Sequence, residues 1–207
     1  MDIATVIRKV QRTFGDSSNI FIIDNDIIDW INDAQSQIAR ETKCLTTQVT
    51  VNASSGFPWT YPANFMRALR VVYGTTPLYV TEIEDLDYKQ QDLTSKSFVP
   101  CFYYHVSNSL VLFPVAQTTD ATVVTIQYAS NPAIIATNAD LLTVPVHFHE
   151  DIVRFCVARA HERNENYKGM EVALNEFTAR MGSRIEDIAN PEDTYTVVCD
   201  DPADSWY

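Results

Sequence analysis

The 207-residue chain is 46% apolar and 20% charged, a globular make-up that excludes a collagen or a disordered chain, and one large domain or two small ones of this length bury roughly 70% of the unfolded surface. Lys and Arg number 15 against 27 Asp and Glu, a net charge of −12, which disfavours wrapping nucleic acid by phosphate neutralisation or docking on an anionic membrane. No apolar run is long enough to span a bilayer, and MDIATVIRKV lacks the basic-then-apolar order of a signal peptide.

In chain order, Ile3, Val6, Ile7, Val10 and Phe14 recur at helical spacing, with Asp2 as N-cap and Gly15 as stop. A second helix is expected over residues 24–41, about 27 Å long. Ile27, Ile31, Ala34 and Ile38 form its stripe, Trp30 widens it, and Asp24 or Asp26 caps it. From Leu45 the period changes to two: LTTQVTV puts Leu45, Thr47, Val49 and Val51 on one face of a half-buried antiparallel strand. NASSGFPWTYP is turn chemistry with aromatics. Strands follow at ALRVVY, PLYV, PCFYYHV, SLVLF and ATVVTIQYA, with SNS as a tight hairpin connection and a short helix at TEIEDLDYKQQ.

After the linker NPAIIATNADLLTVP the helical period returns. Pro145 opens a third helix carrying Phe148, Ile152, Phe155, Cys156 and Ala160 and ending near Tyr167. Gly169 separates it from a fourth, with Met170, Ala173, Leu174, Phe177, Met181, Ile185 and Ile188 as its stripe. The expected class is α+β: a four-helix bundle made by the N- and C-terminal helix pairs (residues 1–44 and 145–188), an inserted antiparallel β module with its linker (45–144), and an extended acidic C-terminal arm (189–207). From Glu186 onward seven acids stand with no Lys or Arg, yet Tyr195, Val197, Val198, Trp206 and Tyr207 are there too. A purely solvating tail seldom carries such aromatics, so the expectation is an arm that orders on a partner.

Chemistry-bearing motifs are sparse. HFHED places His147 and His149 at i and i+2, where on a helix the imidazoles diverge by roughly 200°, unlike the H-E-x-x-H of a zinc protease; no metal site is expected. No G-x-S-x-G elbow, P-loop or GxGxxG is present among only five glycines. The acids Asp24, Asp26 and Asp29, and Glu82, Glu84, Asp85 and Asp87, read as helix-start complements. Cys44, Cys101, Cys156 and Cys199 form no CxxC pair; Cys101 and Cys156 read as small buried hydrophobes. No catalytic residue, cofactor or enzymatic activity is expected. Phe57, Trp59 and Tyr61, with Phe102, Tyr103 and Tyr104, either pack as sheet core or line a carbohydrate face.

Four segments, taken in order, carry a resemblance: IIDWINDAQSQIARET, YPANFMRALRV, YYHVSNSLVLFPVAQTTDATVVTIQYASNP and VPVHFHEDIVRFCVARAHERNEN. Together they resemble the head-to-tail adaptor proteins of tailed bacteriophages over roughly residues 3–188. The resemblance implies a structural virion protein assembled in the host cytoplasm. It implies a ring, typically twelvefold, between the portal protein and the tail tube or nozzle (or tail-fibre attachment proteins), lining the channel through which the genome passes. There is no membrane anchor in such a reading. The expected portal-contacting arm carries Tyr195, Val197, Val198, Trp206 and Tyr207. The alternative is a tail-associated carbohydrate or receptor-binding module.

Overall fold

Helix α1 (Ile3–Phe14) starts where the Asp2 carboxylate accepts the Thr5 N–H at 3.1 Å and ends at Gly15, whose φ of +93° closes the last turn. The Asp16 carboxylate accepts the N–H groups of Ile20, Phe21 and Ile22 and so shapes the connection to α2 (Asp24–Thr42). The expected cap of α2 works differently. Ile23 is the N-cap residue, and Asp26 reaches back to its N–H at 3.3 Å. Asp24 instead accepts from Gln11 and Asn19. The computed structural model describes residues 1–16, 19–53, 57–82, 84, 99–116 and 121–189. The expected short helix at TEIEDLDYKQQ lies almost wholly outside them.

Among the described residues seven strands follow: β1 (Thr46–Asn52), β2 (Trp59–Thr60), β3 (Phe65–Tyr73), β4 (Thr76–Val80), β5 (Phe102–Val106), β6 (Ser109–Phe113) and β7 (Val123–Ser130). Their order in the sheet is β1-β7-β3-β4-β5-β6-β2. The pairs are antiparallel except β4 with β5, which run parallel. A purely antiparallel module was expected; sequence period does not encode the direction of a partner. β5 and β6 form the expected hairpin, with Ser107 at φ +50° in its turn. β2 was read as turn chemistry, and its two residues are too few for a period to show. Trp59 of β2 lies 5.8 Å from the ring of Tyr128 on β7 and 5.9 Å from Phe65 on β3. These strands stand far apart in the order, so the sheet has rolled until one end nearly meets the other side.

After the linker, a 3₁₀ turn (Val146–Phe148) leads into α3 (His149–Arg163), and α4 (Tyr167–Ala189) follows. The break between them is not at Gly169, as expected, but at Asn164–Asn166, with Glu165 at φ +54°. Asn166 starts α4 by accepting the Gly169 N–H on its side chain and the Met170 N–H on its carbonyl. A side chain at Gly169 would meet the Asn166 amide at 2.8 Å and the His161 ring at 3.0 Å, so this glycine serves close approach rather than a stop.

The expected four-helix bundle with a small inserted module does not hold. Among the described residues the fold is α+β, with four helices and a nearly closed, barrel-like sheet of seven strands. α3 is the hub and packs on α1, α2 and α4. From Ile152 to Ala160 it buries Ile152, Val153, Phe155, Cys156, Val157, Ala158 and Ala160, an apolar surface wider than the single stripe of a bundle helix. One cluster of buried residues joins Val6, Ile31, Ala34, Ile38, Phe155, Phe177 and Met181 from all four helices. A second, made of Val71, Leu110, Leu112, Val124 and Ile126, fills the sheet. The linker stitches the two halves. Asn32 exchanges hydrogen bonds with the backbone of Ile135, and the buried Gln35 accepts the Thr143 N–H at 2.8 Å.

Candidate interaction surfaces

The polar groups that looked most chemical in the sequence are taken up by packing. His149 is buried; one ring nitrogen bonds the Val144 carbonyl at 3.0 Å and the other faces the Met1 amine at 2.9 Å. Burial lowers its pKa below the usual imidazole value. Asp151 is fully buried and is gripped by Arg180 at 2.5 Å and Arg184 at 2.7 Å. Glu150 pairs with Lys9 of α1, and Asp26 with Arg163 of α3. HFHED thus ties α3 to α1, α4 and the linker. Among the described residues no group of three potential metal ligands converges. The Asp151 grip was missed in the sequence because Arg180 and Arg184 lie 29 and 33 residues away; the i, i+4 spacing of the two arginines was its only signal.

The aromatics form the seam of the rolled sheet. Tyr61 stacks on Phe65 at 3.9 Å with rings 4° apart, while Trp59 meets Tyr61 edge-on at 74°. Tyr103 is buried, and Tyr61 hydrogen-bonds His105. Burial raises the phenol pKa values of Tyr61 and Tyr103 and lowers that of His105. Trp59, Tyr61 and Phe57 are half-buried against the sheet core, so they do not present the flat, exposed row that stacks on a sugar.

Exposed apolar groups gather elsewhere. Ile20 is 83% exposed in the α1–α2 connection, beside Phe21 and Ile23; Phe14 stacks on Phe21, and Arg163 lies over its ring. A hollow of about 350 Å³ between α2, α3 and α4 is floored by Phe155, Ala158, Met170 and Leu174 and rimmed by Arg159 and Gln37. Cys101 is exposed, contrary to the buried position expected; Cys156 is buried as expected, and burial pushes its thiol pKa up. The candidate arm residues Tyr195, Val197, Val198, Trp206 and Tyr207 lie outside the described residues, as do Asp85 and Asp87. Among the described residues no helix is long and apolar enough to cross a membrane.

The family model for the SU10 adaptor protein matches residues 1–199. The match runs past residue 188, where the sequence resemblance was expected to end, and takes in the first part of the acidic tail. A comparison with curated proteins gave no match.

Proposed function

Because the chain belongs to the SU10 adaptor protein family, a family of phage head-to-tail adaptors, we propose that it forms a ring beneath the portal and carries the genome channel on to the tail tube or nozzle. The carrying observation is the family match over 199 of the 207 residues. In this reading the protein is a non-enzymatic component of the virion neck, assembled in the host cytoplasm. Twelve copies make the ring, each with a net charge of −12. A channel wall of that sign repels DNA rather than holding it, which favours transit. Residues 189–207 form the portal-binding arm: Tyr195, Val197 and Val198 are its anchors nearer α4, and Trp206 and Tyr207 those at its end.

The taking-up of HFHED by structural contacts and of the aromatics by the sheet seam supports an assembly role over a catalytic or glycan-binding one. The test is the mass of the purified protein alone and mixed with portal rings, by native mass spectrometry. A closed ring, alone or on the portal, is the expected outcome. A monomer that ignores the portal at micromolar concentration overturns the proposal.

A further inference from the structure

Among the described residues β1 ends the sheet on one side, and its only strand neighbour is β7. The pairing fixes which of its backbone groups are in use. The Ser130 N–H donates to the Leu45 carbonyl and the Ala53 N–H to the Thr122 carbonyl, both at 2.9 Å. Residues that exchange such bonds alternate along an antiparallel ladder. With Thr47 opposite Tyr128, Val49 opposite Ile126 and Val51 opposite Val124, it is Thr47, Val49 and Val51 that turn N–H and C=O toward β7. Thr46, Gln48, Thr50 and Asn52 turn theirs outward. Among the described residues no backbone group bonds that outer edge. The strand, TTQVTVN, has none of the usual guards of an edge: no Pro, no Gly, no charge.

A matching strand exists in the sequence. Residues 194–199 read TYTVVC, β-branched and aromatic with no charge, Pro or Gly. Pro191, Glu192 and Asp193 bracket the segment on one side, and Asp200, Asp201 and Pro202 on the other, in the manner of gatekeepers around an aggregation-prone strand. The family match stops at residue 199, so the matched region takes in this segment and ends just before Asp200 and Asp201. The helices also deliver it to the right place. Asp26 of α2 meets Arg163 at the end of α3, and Arg180 and Arg184 of α4 meet Asp151 at the start of α3. The end of α4 and the end of α2, from which β1 departs, therefore lie at the same end of the helical half.

We infer that residues 194–199 of one copy add as a strand to the open β1 edge of a neighbouring copy. The inference rests on the ring reading above and refines the arm. Tyr195, Val197 and Cys199 continue the half-buried row of Thr47, Val49 and Val51, while Thr194, Thr196 and Val198 continue the exposed row of Thr46, Gln48 and Thr50. Strand addition moves Tyr195, Val197 and Val198 from the portal to the neighbouring copy and leaves Trp206 and Tyr207 for the portal. A neighbour is the recipient because the ring reading sets copies side by side, and a strand given by each copy to the next joins them by one repeated contact. A neighbour whose β1 lies against the α4 flank takes the segment directly.

Amide hydrogen exchange on the full chain, free and assembled on portal rings, tests this. In the free chain Gln48 and Thr50 exchange fast while Val49 and Val51 are protected. On assembly Gln48 and Thr50 slow by at least about tenfold. Thr196→Pro, which in an antiparallel addition removes a donor to the outer β1 edge, abolishes that slowing, and Thr196→Val keeps it. A ring in which Gln48 and Thr50 stay fast overturns the inference and leaves the ring reading standing; no ring at all takes both down. Thr50→Cys with Thr196→Cys, in a chain whose native cysteines are replaced, is expected to cross-link between copies. A bridge confined to single chains overturns the assignment to a neighbour.

Discussion

Asp151 is the residue on which the attachment of α4 most depends. Its carboxylate is fully buried and accepts from two guanidinium groups, themselves 44% and 26% exposed. Asp151→Asn keeps the shape but removes the charge, leaving two arginines without their counter-ion. Because both arginines still reach water, the cost is below that of a fully buried pair, about 2–3 kcal/mol, read as a lower urea midpoint. Its neighbour His149 predicts a pH effect. Burial lowers the folded-state pKa of His149, and that of His105. On acidification the unfolded chain therefore takes up protons first, so stability is complete above about pH 6.5 and falls as pH drops below it. Asp2, Asp16 and Asp140 also have lowered pKa values, chiefly from hydrogen bonds, but they act only below about pH 4. Urea midpoints of His149→Gln should accordingly vary less than wild type between about pH 5 and 6.5, with the share of His105 remaining.

At the scale of elements, α3 organises the helical half. Ile31 on α2 is fully buried in the cluster that also holds Phe155 of α3 and Phe177 of α4. Ile31→Ala should cost about 2–5 kcal/mol and speed amide exchange across residues 150–185; unchanged protection there would show that α2 and the later helices do not share stability. The helices were legible in the sequence because their stripes and caps are local: Asp2, Gly15 and the Ile27–Ile31–Ala34–Ile38 row all sit where the period puts them. The end of α3 was misplaced because Asn166 and Glu165 set it through hydrogen bonding and a positive φ, whereas Gly169 drew attention only as a residue that often ends helices. The hub role of α3 was not legible either. A helix buried on several sides shows no clean stripe, and periodicity then says little about how many neighbours it has.

At the scale of the whole molecule, strand existence was readable and strand order was not. The alternation of LTTQVTV marks β1, but nothing local tells that β7 will lie between β1 and β3 or that β4 will run parallel to β5. The rolling of the sheet depends on Trp59 reaching Tyr128 across 69 residues of sequence, and its aromatics accordingly read equally well as core or as a binding face. The acidic tail belongs to this scale too. Deleting residues 190–207 should leave the fold intact, since among the described residues the two clusters of buried residues already join the four helices and fill the sheet. It should weaken portal-ring decoration at least about tenfold in a sedimentation assay, with the full chain's binding falling as salt rises. Unchanged decoration by the truncated chain would make the tail a solvating end.

The two ends of the strand order are unequal: β1 has seven residues and β2 has two. Symmetry makes that inequality matter. If two β1 edges met each other, the contact would be isologous, with each copy using the same patch, and growth would stop at a two-fold dimer. A β1 edge filled instead by a different segment makes a heterologous contact, in which each copy gives on one side and receives on the other, and such contacts propagate until a rotation closes them. An exposed β1 thus makes the dimer the natural dead end of this fold, and a tail-deleted chain should reveal it as a concentration-dependent two-fold species in analytical ultracentrifugation, which Thr50→Lys on the exposed face of that edge should suppress.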